Sequence, residues 1–272
     1  MRRYPPPIDV PDHLDRWRRI VALPDDRLPL DEAALLISAA ANPGLDVTGQ
    51  LGRLDDLAGR VRATGAAGVC EVLFGELGLV GDTETYDDPQ NSYLDRVLDR
   101  GRGIPISLSV LLIEVGRRCG VPLVGVGLPG HFVVRDPAEP EEVIDAFGGG
   151  RRLDRAATEA LVRRAVGPDA AVGPELLAPV GPQAVLARML VNLDASFERR
   201  GDLDALGWVS RMRAALQGAP AGDRAQLASR LAGLGRFDLA ATTLEEVAAA
   251  IPDPRARRRM VREAIRLRAR LN

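Results

Sequence analysis

The chain has 272 residues, of which 46% are hydrophobic and 27% are charged, and its formal net charge is −2. This composition is typical of a globular protein with one large or two modest domains, and so small a net charge excludes recruitment of nucleic acid or anionic lipid by the overall field. Apart from two histidines every basic residue is arginine, which excludes chemistry that needs a lysine, such as Schiff-base formation or a phosphate-loop lysine.

The cysteines and the apolar runs bear on the cellular compartment. Two cysteines, Cys70 and Cys119, are too few for a disulfide framework. The N-terminus, MRRYPPPIDVPDH, has no apolar core of signal-peptide length, and no run of about 18 apolar residues predicts a membrane span. We therefore expect a reducing, cytoplasmic setting without membrane association.

The N-terminal third is predicted to be helical after a proline-rich start. LDEAALLISAAA is an alanine-rich segment that favours helix, and the following Asn-Pro-Gly ends it. TGQLGRLDDLAGRVRATG carries Leu51, Leu54, Leu57 and Val61 at helical spacing. GVCEVLFGELGLVG predicts a further short apolar helix.

A polar, acidic segment, GDTETYDDPQNSY, follows these helices. Its carboxylates belong to Asp82, Glu84, Asp87 and Asp88, but their spacing does not match an EF-hand loop, which needs a glycine at its sixth position and a glutamate at its twelfth. We interpret the segment as an exposed loop rather than an ion site. The sequence indicates no metal and no cofactor.

Residues 101 to 153 have a mixed character. A helix enters through Gly-Ile-Pro, with the proline in the first turn where its missing N–H is harmless. LVGVGLPG, HFVVR and EVIDAF are rich in β-branched and aromatic residues and are bounded by turn residues, so they predict strands of a small sheet at about 121–150. DRAATEALVRRAVG predicts a helix, and the Pro- and Gly-rich stretch 167–183 predicts a linker.

From about residue 184 the chain is predicted to be helical and repetitive. Two consecutive 34-residue segments align Gly201 with Gly235, Asp204 with Asp238 and Pro220 with Pro254. This is the tetratricopeptide period, in which each unit is a pair of antiparallel helices. Two units and the final helix RARRRMVREAIRLRARLN make a minimal stack, so we expect it to depend on the rest of the protein for stability.

His131 opens a predicted strand after a Pro-Gly turn, and Asp145 lies on the next strand. A histidine steered by a carboxylate is the general-base half of a catalytic triad. The alternative is a core histidine that is hydrogen-bonded to Asp145 and has no chemical role. The residues alone favour this alternative. The other histidine, His13, is interpreted as a surface or capping residue.

The possible nucleophiles lie on the helix that precedes His131. Cys119 is near its C-terminal end, roughly 20 Å from the helix start, whereas a thiolate is favoured at the N-terminus. Cys119 is therefore interpreted as a small buried apolar residue. Ser107 and Ser109 lie in the first turns, rotated by about 200° and about 40° from Pro105. Only Ser109 shares the proline's face, and a serine nucleophile needs both a base and an oxyanion hole, so capping or packing is the favoured role of both.

Several short sequence motifs together resemble those of the bacterial SirB-type family, whose members have a transglutaminase-like core followed by tetratricopeptide repeats. The resemblance covers nearly the whole chain. The resemblance rests on the motifs Asn91-Ser92, Gly103-Ile104-Pro105-Ile106-Ser107-Leu108, Pro129-Gly130-His131-Phe132 and Ile144-Asp145.

The resemblance implies a core related to papain-like transglutaminases, with a triad in the order cysteine, histidine, aspartate. His131 and Asp145 match the second and third places. The first place falls near Pro105 or Ile106, where there is no cysteine. The sequence also has Ala146 where the family has a proline after the aspartate.

These observations predict an α+β protein with N-terminal helices, a transglutaminase-like core and a small antiparallel sheet in residues 1–166, a linker at 167–183 and helical repeats at 184–272. We expect a non-catalytic pseudoenzyme that binds a protein or peptide partner through its repeats. The alternative is an acyl-transfer enzyme or peptide-bond hydrolase that uses Ser109 or Ser107 with His131 and Asp145. Contact between nucleic acid and the C-terminal arginines is a third possibility, but without interleaved aromatic residues this helix is interpreted as a solvated cap.

Overall fold

In the computed structural model the chain is described over residues 11–169, 173–219, 221–250 and 253–271. These residues form two compact units. The core unit is Pro24–Met189, and the helical unit joins residues 11–23 to the described residues from 190 onward. The proline-rich start up to residue 10, Pro220 of the repeat alignment and residues 170–172 of the predicted linker lie outside the described residues.

The N-terminal part of the core unit is helical, as its sequence periodicity predicts. The first described helix, α1 (Pro11–Val21), belongs to the helical unit. The core unit contains α2 (Leu30–Ala41), α3 (Val47–Arg60), α4 (Gly65–Cys70, continued by a π-helical turn Glu71–Glu76), α5 (Leu94–Arg100), α6 (Pro105–Arg118) and α7 (Arg155–Val166). Helix α2 ends where Asn42 donates its backbone N–H to Ser38. Helix α3 begins where the Asp46 side chain accepts from the Gly49 N–H, which supplies a partner to an otherwise free helix donor.

The sheet of the core unit is antiparallel and has the strand order β6-β5-β4-β3-β7. A short parallel pair, β1 (Val80–Gly81) and β2 (Arg102–Gly103), precedes it. The strands of the main sheet are β3 (Val124–Leu128), β4 (His131–Arg135), β5 (Val143–Asp145), β6 (Arg151–Leu153) and β7 (Pro179–Val180). The small antiparallel sheet predicted for residues 121–150 is confirmed, but it extends to β6 and gains β7 from a distant segment.

Apolar side chains on the sheet and on α6 form the core. Helix α6 packs against β4 and is buried from Pro105 to Gly116. Phe132 of β4 fills the space that a side chain at Gly125 of β3 would take, since a Cβ at Gly125 would lie 2.7 Å from its ring. A second apolar cluster joins the strands to α7 and consists of Val126, Leu128, Val133, Val143, Leu153 and Val162. The sheet is therefore held by apolar packing against both α6 and α7.

The helical unit contains α1 and a series of helices that pack consecutively from α9 to α12. Helix α8 (Pro182–Arg200) starts in the core unit and continues in the helical unit; α9 (Leu203–Ala215), α10 (Ala221–Gly233), α11 (Phe237–Ala250) and α12 (Pro254–Arg268) follow. Gly201 and Gly235 precede α9 and α11 and have positive φ values of 65° and 74°, which glycine adopts without strain. The helix pairs therefore repeat with the 34-residue spacing of the sequence.

Two boundaries differ from the predicted domains. Residues 11–23 group with the C-terminal helices because Trp17 is fully buried and its indole N–H donates to the Met212 carbonyl at 3.1 Å. The predicted linker 167–183 contains β7, which pairs with β3, and the Gln183 backbone N–H donates to Asp25 at 3.1 Å. All three contacts join residues more than 50 positions apart, so sequence composition gave no sign of them. Within the described ranges, no helix is both long enough and apolar enough to cross a membrane.

Candidate functional site

The imidazole of His131 lies at the first position of β4, directly after the Pro129-Gly130 turn. Gly130 has a φ of 67°, so the turn uses the left-handed region that favours glycine. The His131 Nε2 atom lies 2.8 Å from Oδ1 of Asp145 on the neighbouring strand β5. The side chains of His131 and Asp145 are only 12% and 6% exposed. The structure thus brings together the histidine and aspartate that the sequence singled out.

The carboxylate of Asp145 is held in its ionised form. Burial alone would raise its pKa, but the hydrogen bond and charge of His131, the Gly148 N–H and the more distant Arg151 together lower the pKa below its usual value. The Gly148 N–H donates to Oδ1 at 3.1 Å. An ionised carboxylate can only accept a hydrogen bond, so the ring nitrogen Nε2 that faces it is the donor of this pair. In the described parts of the chain the ring's hydrogen bonding involves Asp145 alone.

The turn after Asp145 closes although Ala146 stands where the resembling family has proline. The Gly149 N–H donates to the Ala146 carbonyl at 3.2 Å, and the Gly150 N–H donates to the Asp145 carbonyl at 2.9 Å. These bonds, together with the Gly148 bond to the carboxylate, fix the segment that follows β5. Phe147 is thereby held beside His131.

Two aromatic rings, which the sequence reading did not include, line the site. The Phe147 ring meets the His131 ring edge-on, with centroids 5.9 Å apart, and the Tyr86 ring meets Phe147 edge-on at 6.0 Å. A Cβ at Gly81 would lie 2.5 Å from the Phe147 ring, so only a glycine leaves room for it. Two signals in the sequence could have indicated these rings. Tyr86 is aromatic in an otherwise polar segment, and Phe147 stands where the resembling family has the phenylalanine of its Asp-Pro-Phe pattern.

The start of α6 offers no thiol. Ile104 is the N-cap residue and Pro105 the first helical residue, and both are buried together with Ile106. Cys119 is the C-cap residue of the same helix and is half-buried rather than buried as expected. Its partial burial still raises the pKa of its thiol. Burial also raises the pKa of Cys70 to about 11. Neither cysteine therefore occupies the position or has the ionisation that a nucleophile at this helix start requires.

The two serines of α6 are fully buried and neither is hydrogen-bonded to His131. The Ser107 hydroxyl accepts from the Ile104 N–H at 3.1 Å and donates to the Asn91 carbonyl at 2.6 Å, so it caps the helix. The Ser109 hydroxyl has no hydrogen-bond partner among the described residues. The arrangement lacks the nucleophile–base hydrogen bond that serine chemistry needs.

The acidic segment is not simply an exposed loop, and for Asp82 the interpretation was wrong. Asp82 is 1% exposed and accepts from the N–H groups of Glu84 and Thr85, the Thr85 hydroxyl and the Asn91 amide. Glu84 and Asp87 are exposed as expected. No group of His, Cys, Asp and Glu side chains within the described ranges is arranged to hold a metal ion. The buried carboxylate folds the segment back on itself because its local donors all converge on it.

This carboxylate predicts a pH dependence of stability. Burial acts to raise the pKa of Asp82, but its hydrogen bonds lower it from 3.8 to about 2. A depressed folded-state pKa contributes stability above pH 3.8 that is lost as the pH falls towards 2. We expect Asp82→Asn to be less stable at neutral pH and to lose less on acidification, as measured by thermal melts across this range. Glu84→Gln is the exposed control, and melts of Asp82→Asn that fall in parallel with the wild type would contradict the assignment.

A half-buried arginine on α8 also reaches the site. The Arg188 Nη2 atom donates to the carbonyls of His131 at 2.6 Å and Leu128 at 2.8 Å. Its guanidinium lies 5.4 Å from the Phe132 ring centroid. Arg188 gives no signal in the sequence, because it lies 57 positions beyond His131 on a helix predicted to belong to the repeats.

Comparisons with known proteins find a matching family model and several related chains. A family model described as the transglutaminase-like superfamily matches residues 48–191. A UPF0162 protein of Xylella fastidiosa (strain 9a5c) is 38% identical over 197 residues, covering 68% of this chain and 70% of the relative. A UPF0162 protein of Pseudomonas aeruginosa is 33% identical over 172 residues, or 60% and 63% of the two chains. F-box only protein 21 of Mus musculus is 37% identical over 139 residues, which are 48% of this chain and 21% of the mouse protein. No solved structure matches at a significant level.

Proposed function

Since this chain belongs to the transglutaminase-like superfamily, we propose that it is a non-catalytic member that binds a protein or peptide partner. The proposal includes the finer resemblance to the SirB-type family and the interpretation of the C-terminal helices as tetratricopeptide-like repeats. The 34-residue spacing of α9 and α11, each preceded by a glycine with positive φ, supports the repeat interpretation.

The observation that carries the non-catalytic interpretation is the start of α6. A transglutaminase-like enzyme needs its nucleophile there, within reach of the imidazole. Buried Ile104, Pro105 and Ile106 occupy this place, Ser107 is bonded to the Asn91 carbonyl, and Ser109 is fully buried. The pair of His131 and Asp145 therefore has no hydroxyl or thiol bonded to it in the described chain.

The helical unit offers a groove for a partner. Its volume is about 620 Å³, and both apolar and charged side chains line it. The lining residues are Leu14, Ala214, Ala215, Leu227, Leu231, Leu239, Thr242 and Thr243, with Arg18, Arg211, Arg224, Arg236, Asp15 and Glu246. Arg224 and Arg236 make no ion pair with a described residue. A peptide with both acidic and apolar side chains fits this lining.

The relatives support the interpretation as a module. The part of F-box only protein 21 that resembles this chain is 21% of that protein, so a core of this kind also occurs as a minor part of a much longer chain. In that setting the core is one module among others. We apply the same interpretation to the core unit here.

A serine-directed fluorophosphonate probe tests the absence of catalysis. We expect the wild type and His131→Ala to show the same background labelling, because no hydroxyl is activated by the imidazole. A known serine hydrolase serves as the positive control. Labelling of the wild type that disappears in His131→Ala and in Ser109→Ala would overturn the proposal in favour of an acyl-transfer enzyme or hydrolase.

A second experiment tests the groove. The wild type, Arg224→Glu with Arg236→Glu, and Arg258→Glu with Arg262→Glu on the exposed face of α12 are used for affinity purification from the native cell. We expect the first double variant to lose an acidic partner that the second retains. A partner lost equally with both pairs, or nucleic acid lost only with the α12 pair, would contradict docking in the groove.

A further inference from the structure

The guanidinium of Arg188 is a half-buried cation without a carboxylate among the described residues. Its Nη2 atom is fully used by the carbonyls of Leu128 and His131. Nη1 and Nε make no hydrogen bond with the described chain and are not sealed from solvent. A charge taken partly out of water without a counter-ion is costly, and burial accordingly lowers the pKa of Arg188.

The position of the guanidinium is fixed by its surroundings. A Cβ at Gly127 would lie 3.2 Å from Nη1 of Arg188, so the absence of a side chain at Gly127 leaves room for the guanidinium. The Phe132 ring lies 5.4 Å away, within the range of a cation–π contact. The two carbonyl contacts and the Phe132 ring hold the guanidinium in place, and Gly127 leaves room for it. The direction of the Nη1 and Nε donors is thereby fixed.

The phenol of Tyr86 is a second donor, near enough to Arg188 for the guanidinium charge to act on it. Its ring is held by Phe147, which in turn contacts His131. The hydroxyl makes no hydrogen bond with a described residue, and Tyr86 is 44% exposed. Burial raises the pKa of Tyr86, partly offset by the nearby charge of Arg188, so the phenol stays protonated and able to donate at neutral pH.

We propose that Arg188 and Tyr86 form a binding site for an oxyanion, either a carboxylate or a phosphate group, of a ligand that lies beside His131. The hydrogen-bond geometry of a planar guanidinium suits both a carboxylate and a phosphate. The rings of Tyr86 and Phe147 would pack against the apolar part of the ligand. The oxyanion site is in the core unit. It shares no residue with the groove of the helical unit, so its test is independent of the test of that groove.

Calorimetric titration of the full chain tests the site with three probes, namely inorganic phosphate, an acetylated dipeptide with a free C-terminal carboxylate, and the same dipeptide amidated. We expect the wild type to bind at least one of the two oxyanions and not the amide. Binding of the carboxylate alone identifies a peptide terminus as the ligand group, and binding of phosphate alone identifies a phosphorylated ligand.

Variants assign the binding to these residues. Arg188→Gln should weaken binding by about tenfold or more, as expected for a charge-assisted hydrogen bond. Tyr86→Phe should weaken it several-fold, and Arg164→Gln, at an exposed position of α7, should leave it unchanged. Since Arg188 also supports the turn before β4, Tyr86→Phe keeps the test valid if Arg188→Gln does not fold. Binding of neither oxyanion to the wild type at millimolar concentration would overturn the proposal. Equal affinity in the wild type and both site variants would overturn it as well.

Discussion

Replacing Asp194 by alanine should lower the free energy of unfolding of the helical unit by about 3–5 kcal/mol, the usual cost of removing one partner of a buried ion pair. The Asp194 carboxylate is 9% exposed and lies between Arg213 of α9 and Arg230 of α10. The Arg213 Nη1 atom donates to it at 3.1 Å and the Arg230 Nη2 atom at 3.0 Å. One carboxylate on α8 therefore joins three helices. When it is lost, Arg213 keeps Asp223 at 2.7 Å and Arg230 keeps Glu198 at 3.0 Å, so the expected cost lies at the lower end of this range.

Differential scanning calorimetry measures this effect, since it resolves the unfolding of separate units that need not unfold together. Asp204→Ala is the matched control, because Asp204 is exposed in the first turn of α9 and its loss removes a helix-dipole interaction of less than about 1 kcal/mol. We expect a large fall in the melting temperature for Asp194→Ala alone. Equal melting temperatures for the two variants would show that the three-helix ion pair does not support the unit.

Replacing Asn91 by alanine should lower the free energy of unfolding of the core unit by about 2–4 kcal/mol, because several buried groups lose a partner at about 1–3 kcal/mol each. Asn91 is fully buried. Its amide donates to the Thr85 carbonyl at 2.7 Å and to Asp82 at 3.2 Å, and its Oδ1 accepts from Arg100 at 3.1 Å. The side chain thus fixes the acidic segment that carries Tyr86.

Gln90→Ala is the control for this prediction. The neighbouring Gln90 side chain makes one long contact, at 3.4 Å, to Asp88, so its removal should cost little. Chemical denaturation of both variants, with oxyanion affinity as a second readout, separates the two effects. If Asn91→Ala retained the stability of Gln90→Ala, the amide would not be the anchor of the segment.

The hydrogen bonds of Asn91 also explain the structural role of two of the motifs on which the family resemblance rests. The Asn91 carbonyl accepts from the Ser107 hydroxyl at 2.6 Å and from the Ile104 N–H at 3.3 Å. The Asn-Ser and Gly-Ile-Pro-Ile-Ser motifs therefore meet at the start of α6. There they supply hydrogen-bond partners to backbone groups at the helix end that have no partner within the helix. In this chain they build the framework at the start of α6.

The amino-acid sequence by itself determined the local structure and the chemical inventory. Local signals act within a few residues, and they include the apolar period of α2 and α3, the proline that starts α6 and the Pro-Gly turn before His131. The mixed core with a small antiparallel sheet, which these signals predict, is confirmed. The sequence also established that no cysteine stands at the start of α6. Adjacent predicted strands placed Asp145 near His131, because neighbouring strands in a chain tend to pair.

Only the tertiary structure decided which distant residues meet. Arg188 reaches the His131 carbonyl from 57 positions away, Trp17 reaches Met212 from 195 positions away, and β7 joins the sheet from the predicted linker. The burial of Asp82 likewise depends on Asn91 and on the helix start behind it. Such contacts leave no periodic signal, because hydrophobic spacing reports which face of one element is buried but not which other element covers it.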